Sequence, residues 1–258
     1  MLTSVVKKSK TGDWSKTMKS NASKVVKARI ADLNVLLHCK TKFMVRRTEK
    51  YLYDFSGVPD AEIDISEEML VQYCEKYALM NRASAEYMLS GAAFYNQLYR
   101  KYNGLMLHAS AIEMDGKGYL FSANSGTGKS THAALWAQCF GERVHYINDD
   151  KPALRKMRDG WHVYGTPWSG KTDLNSNISA PIQAIAFLHR SEENCIARME
   201  IGGILPKLLE QTIRPKNETG ADFYFALVES LVEQVPIYEI GCNMHPEAAK
   251  MAYEIMKS

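Results

Sequence analysis

Three consecutive residues, Gly128, Lys129 and Ser130, close the stretch SANSGTGKST at residues 122–131 in the order a Walker A loop requires. The chemistry of such a loop is phosphate binding: consecutive backbone N–H groups turn inward at the amino end of a helix, whose dipole also favours negative charge. Gly126 and Gly128 permit the close approach. Asn124, Ser125, Gly126, Thr127, Gly128, Lys129, Ser130 and Thr131 are therefore the candidate nucleotide-binding residues. Lys129 would reach the β- and γ-phosphates of ATP, and the Ser130 hydroxyl would hold Mg²⁺. The first position of the pattern is Ala123 instead of glycine, which is tolerable if that residue keeps an ordinary negative φ. The competing reading is a Ser-Gly-rich turn without nucleotide.

A second group of chemistry-bearing residues is the acidic pair Asp149-Asp150, which ends the run VHYINDD one helix and one return strand after Lys129. Phosphoryl transfer to an alcohol uses one carboxylate to hold the metal and another to take the hydroxyl proton. Asp149 is assigned here to Mg²⁺ and Asp150 to the base, an order that the sequence leaves open. The alternative is a solvated turn before Lys151-Pro152. His108, in LMLHASAIE, is either a packed strand histidine or a functional one. The polar stretch YGTPWSGKT offers Ser169 and Lys171 to phosphate or acceptor, or else is a turn with Trp168 packed on the core. Arg190 and Arg214 are further candidates for phosphate or acceptor recognition.

Several elements must position these residues. RIADLNVLLHC and KYLYDF read as strands and turns, and Ser66 caps a helical stretch that runs to about Tyr102 in more than one helix. Two apolar runs joined by Asp115-Gly116 predict a hairpin feeding directly into the glycine-rich loop. Beyond it come helix THAALWAQCF, strand VHYIN, a hairpin turning at Asp159-Gly160, and buried strand IQAIAFLHR. Helices ILPKLLEQTI and ADFYFALVESLVEQ, strand PIYEIG and a closing helix with Pro246 in its first turn complete the chain. This organisation predicts a basic flexible arm at 1–29, a small α+β lobe at 30–102 and an α/β domain at 103–258.

With 46% hydrophobic and 24% charged residues, the 258-residue chain can bury a substantial core. Its sequence contains no run of the roughly 18 to 20 apolar residues needed to span a bilayer, and its amino terminus has no apolar signal core, so a cytoplasmic protein with no membrane role is expected. Five scattered cysteines without a C-x-x-C pair read as reduced thiols. The net charge of +3 is uneven, because residues 1–29 carry eight Lys or Arg against Asp13 alone. That arm reads as a solvated end, and without aromatic interleaving no nucleic acid partner is expected.

The order His108, SANSGTGKST, Asp149-Asp150 resembles the catalytic domain of HPr kinase/phosphorylase and its relatives, and more distantly the nucleotide core of phosphoenolpyruvate carboxykinase. The resemblance covers residues 104 to about 190 well and the carboxy-terminal part loosely, and does not convincingly cover residues 1–100. It implies a mixed sheet in which the loop follows an antiparallel hairpin; the small amino-terminal α+β lobe is read from the sequence pattern alone. Lys129 and Ser130 fall on the family's phosphate and metal positions, Asp149 and Asp150 on its paired acids, and His108 on its histidine before the hairpin. The chain departs from HPr kinases at Thr131, where they carry glutamate, and lacks their segment beyond the acids that supports HPr docking. The resemblance therefore implies an HPr kinase-related protein acting on another substrate, with possible homo-oligomers.

The resulting expectation is an ATP- and Mg²⁺-dependent kinase acting on a hydroxyl of a protein, peptide or small molecule. An ATP-binding regulatory module without transfer, or a simple ATP hydrolase, are the alternatives.

Overall fold

The computed structural model describes residues 23–213 and 218–258. The chain opens with β1 (Lys24–Ile30) and β2 (Leu33–Cys39), followed by α1 (Lys42–Arg47), β3 (Ala61–Asp64), α2 (Glu67–Lys76) and the long α3 (Arg82–Lys101). Strands β1, β2 and β3 form a three-stranded sheet, antiparallel between β1 and β2 and parallel between β2 and β3. Val26, Ala28 and Ile30 point inward at period two while Lys27 and Arg29 stay outside. That alternation puts the end of the basic arm in a strand, so the flexible reading fails for residues 24–29. Residues 1–22 of the arm lie outside the described residues.

Asp115 (φ 55) and Gly116 (φ 75) join β5 (Ala109–Met114) to β6 (Lys117–Ser122), the left-handed pair that a two-residue hairpin requires. β6 leads through the glycine-rich turn into α4 (Lys129–Phe140), and β7 (Val144–Asn148) returns beside β5. With β4 (Gly104–Met106), β8 (Ala153–Met157), β9 (Gly160–Tyr164) and β10 (Ser179–Arg190), these strands run in the order β4-β8-β9-β10-β6-β5-β7. β12 (Ile237–Cys242) pairs with β10 and with β11 (Cys195–Arg198). The result is a mixed α/β fold: β10 runs parallel to β6 and β12, while the other pairings in this sheet are antiparallel.

The sheet has two apolar faces. α4 and α7 (Pro246–Met256) contribute Trp136, Ala248 and Met256 to the cluster of Phe121 and Ile240. α5 (Ile201–Gln211) and α6 (Glu218–Gln234) contribute Leu208, Tyr224 and Leu231 to the cluster of Leu120 and Phe187. A third cluster joins β1, β2 and α3 to Met106, Ala153, Tyr164 and Trp168 of the larger sheet. Trp168 is fully buried, stacks on Phe94 at 5.0 Å and approaches Gly91, where a Cβ would lie 3.0 Å from its ring. The amino-terminal elements are thus welded onto the region that precedes the polar stretch 169–173.

Several local expectations change. Glu49–Tyr51 forms a 3₁₀ turn and Leu52 makes only an isolated bridge to Ala28, so KYLYDF is not a strand; Tyr51 is buried through its hydrogen bond to Asn175 instead of by alternation. β11 went unforeseen because its residues are mostly exposed and give little hydrophobic pattern.

Candidate functional site

The turn before α4 is built by its glycines. Gly126 (φ 80) and Gly128 (φ 128) adopt conformations that side chains rarely accept, and a Cβ at either would meet nothing within 4 Å. Conformation, not crowding, therefore dictates glycine here, and open space remains in front of the backbone. Gly128 caps α4 without any side-chain hydrogen bond, which leaves the helix's first amides to other acceptors. The Lys129 ammonium curls back to donate to the carbonyl of Ala123 at 2.9 Å. Burial pulls its pKa below the usual lysine range, against the charges of Asp150 and Asp149. Ala123 keeps an ordinary φ and is buried in the apolar cluster of Phe121 and Trp136, which accounts for alanine where the pattern has glycine.

The acid turn is shaped by Asn148. Its buried side-chain oxygen accepts from the backbone N–H of Asp150 at 2.9 Å and of Lys151 at 2.7 Å, which bends the chain sharply after β7. The two acids then diverge. Asp149 is buried, and its carboxylate accepts from the Ser110 hydroxyl at 2.6 Å and the Thr172 hydroxyl at 2.8 Å. Asp150 is more open and lies between two basic side chains: His108 Nε2 is 3.3 Å from Oδ1, and Lys151 Nζ pairs with Oδ2. Burial opposes the charge on Asp150, but His108 and Lys151 together outweigh it and hold the carboxyl below its usual range.

Thr172 arrives on a loop that the amino-terminal elements hold. Arg47, at the end of α1 and 8% exposed, donates to Ser169 Oγ at 2.9 Å and to the Gly170 carbonyl at 2.6 Å, and pairs with Asp173. Lys50 donates to the carbonyl of Asn175, while the Tyr87 hydroxyl accepts from Gly170 N–H at 2.8 Å. Gly170 (φ 72) presses on the acid turn so closely that a Cβ would lie 2.8 Å from the Asp150 Cβ.

A hollow of about 450 Å³ is lined by His108, residues of the glycine turn, Lys129, Ser130, Thr131, Asp149, Asp150, Gly170, Lys171 and Thr172. His108, Lys129, Ser130, both acids and Lys171 thus meet at one opening. Asn124, Ser125, Gly126 and Thr127 also face a second hollow of about 550 Å³, shared with Arg190, Lys207 and Gln211. Ser169 does not line the opening: it is fully buried, with its hydroxyl engaged by Arg47, Asn175 and Asp173, so the expectation of substrate contact is corrected. Arg190 donates to the carbonyls of Gly126 at 2.7 Å and Thr127 at 3.5 Å, supporting the turn from outside. Arg214 lies outside the described residues.

Sequence reasoning missed Ser110, Lys151, Thr172, Gln211 and Arg47. Ser110 carried a signal, since it lies two residues from His108 and period-two spacing puts both on one side of an extended chain. Arg47 carried none, because 122 positions separate it from Ser169.

Asp149 and Ser130 are the side chains here that could hold a magnesium ion whose other ligands are phosphate oxygens. Among the described residues no group of three or more His, Cys, Asp or Glu is gathered in metal-holding geometry. Mg²⁺ needs only one or two carboxylates when substrate phosphates supply the other ligands. Asp149 retains acceptor capacity beyond its two hydroxyl partners, and Ser130 is exposed beside it in the same hollow.

No helix among the described residues is long and apolar enough to cross a membrane. No curated protein matches the chain. Among solved structures it is similar to the Hpr(Ser) kinase/phosphatase from Coxiella burnetii, at 11% identity and a TM-score of 0.34, covering 59% of this chain and 99% of that one. Residues 83–203, just under half of the chain and spanning every site residue from His108 to Arg190, match the family model described as SynChlorMet cassette protein ScmC.

Proposed function

We propose that this chain is an ATP- and Mg²⁺-dependent phosphotransferase that moves the γ-phosphoryl group to a hydroxyl of a peptide, protein or small molecule. One observation carries the reading: an uncapped helix start with two left-handed glycines, a buried lysine and two unlike carboxylates share a single hollow. The amides opening α4 would bind the phosphates. Lys129 would exchange the carbonyl of Ala123 for a phosphate oxygen and stabilise the charge that moves in the transition state. Ser130 and Asp149 would hold a Mg²⁺ ion, which would supply neutralising positive charge to the phosphates when bound.

Asp149 is kept in place for this by Ser110 and Thr172. Asp150 stays ionised, so it can accept the acceptor's proton as the new O–P bond forms and the bond to the β-phosphate breaks, releasing ADP. A carboxylate held this low is a weak base, so orienting the hydroxyl is as much its task as deprotonation. Lys171, exposed at the rim, would meet the acceptor or the phosphates.

The test is transfer from γ-labelled ATP into an acceptor mixture, with the parent chain and Asp150→Asn in parallel. Label entering a product with the parent, and falling by about a hundredfold or more in the variant, is the expected result. Nucleotide binding with neither transfer nor hydrolysis across a broad acceptor screen overturns it in favour of a regulatory module. Phosphate release without any labelled acceptor indicates a hydrolase.

A further inference from the structure

Gln211 is the last residue of α5, 7% exposed, and both ends of its side chain are engaged. Its amide nitrogen donates to the side-chain oxygen of Asn124 at 2.7 Å, at the mouth of the glycine turn. Its amide oxygen lies 3.0 Å from Nδ1 of His108, and its backbone carbonyl accepts from the His108 N–H at 2.7 Å. One residue thus grips His108 by main chain and ring together. On the ring's far side Nε2 faces Asp150 at 3.3 Å.

The hydrogen-bond inventory fixes the direction of this chain. A carboxamide nitrogen spent on Asn124 leaves only an oxygen toward His108, and that oxygen can only accept. Nδ1 must therefore carry a proton. Nε2 then faces Asp150 Oδ1, in a setting where Lys151 and Lys129 supply positive charge and Asp149 negative charge.

We propose that Gln211 is a positioning residue of this site: it sets Nδ1 as the protonated nitrogen of His108, turns Nε2 onto Asp150, and ties that pair to the glycine turn through Asn124. The catalytic consequence rests on the phosphoryl-transfer reading, whereas the protonation pattern does not. Gln211 touches neither hydroxyl nor carboxylate; its effect passes through His108.

The experiment compares the full chain with Gln211→Leu, which removes the acceptor at similar volume, and Gln211→Glu, which keeps it. Histidine ¹⁵N correlation spectra at one neutral pH, with the His108 signals identified among the seven histidines by their loss in His108→Gln, report which ring nitrogen bears the proton. The expected result is a protonated Nδ1 in the parent and in Gln211→Glu, and loss of that proton from Nδ1 in Gln211→Leu. Transfer assays should then show kcat down by about tenfold in Gln211→Leu and partly restored by glutamate, which keeps the acceptor toward His108 but not the donor to Asn124. An unaltered ring signature in Gln211→Leu overturns the proposal even if kinase activity is robust. Should the parent chain transfer no phosphate at all, the kinase reading fails while the spectra still decide the role of Gln211. If Gln211→Leu does not fold, the glutamate variant serves alone, and loss of Nδ1 protonation there overturns the assignment.

Discussion

The glycine turn at 123–131 and the polar loop at 165–175 line the same hollow but are held by opposite strategies. The turn is held by its own backbone: two glycines in rare conformations and the first turn of a helix anchored by Trp136 suffice. The polar loop lacks regular structure and depends on distant side chains, chiefly Arg47, Lys50, Tyr51 and Tyr87. The difference teaches where mutation should act. Damage to the turn should strike chemistry with the fold intact, whereas damage to the loop's supports should strike stability and reach chemistry through Thr172 and Gly170.

Lys129→Met is the sharpest probe of the first half of that contrast. Labelled-phosphate transfer should fall by about a hundred- to a thousandfold, with the melting temperature unchanged or raised, because a buried ammonium is replaced by an apolar chain. A melting point that collapses together with activity would break the comparison.

Arg47→Ala tests the other half. It leaves Asp173 and Ser169 without their buried cation, and denaturant unfolding should show a loss of about 3 kcal/mol. Activity at saturating ATP should fall too, with a raised requirement for Mg²⁺ because Thr172 no longer orients Asp149. Unchanged stability would mean that the loop holds itself.

His132 marks a limit of the turn's independence. It lies on the buried side of α4, against Phe121 and Trp136, and burial pushes its pKa down to about 4 from an ordinary value near 6.5. The unfolded chain therefore binds this proton first on acidification. Stability should be full above pH 6.5 and decline between pH 6.5 and 4, by about 3 kcal/mol in total from this group. Melting curves of His132→Asn should be flatter over that window than those of the parent; identical slopes would refute the assignment.

Gly170→Ala should cost about 1 to 2 kcal/mol from its left-handed backbone, together with a measurable drop in kcat as the new methyl displaces Asp150. The smallest effect belongs to Ala123→Gly, which restores the usual first glycine. It should lower stability by about 1 kcal/mol or less and leave ATP affinity essentially unaltered in calorimetry, since Ala123 already has an unstrained φ.

Much of the fold was legible because its signals are local. Asp115-Gly116 announced a hairpin, Pro246 a helix start, and the apolar run ending at Arg190 a buried strand, all of which the structure contains. The glycine turn before α4 and the acidic turn after β7 were legible for the same reason. Where local pattern was weak, the reading failed: Lys27 and Arg29 hid the inward alternation of β1, and the exposed residues of β11 offered almost none. Ser169 misled because a serine in a glycine-lysine loop resembles a ligand contact, whereas burial by Arg47 makes it a structural hydroxyl.

The sequence by itself determined the residues able to do chemistry and their order along the chain, because glycine conformations, helix starts and paired acids are set by neighbours within a few positions. Only the tertiary structure gives the two acids different surroundings. Asp149 and Asp150 are chemically identical and adjacent. Their difference comes from Ser110 and Thr172 on one side and His108 and Lys151 on the other. His108 is itself gripped by Gln211, 103 positions away, and no local pattern encodes a contact at that separation.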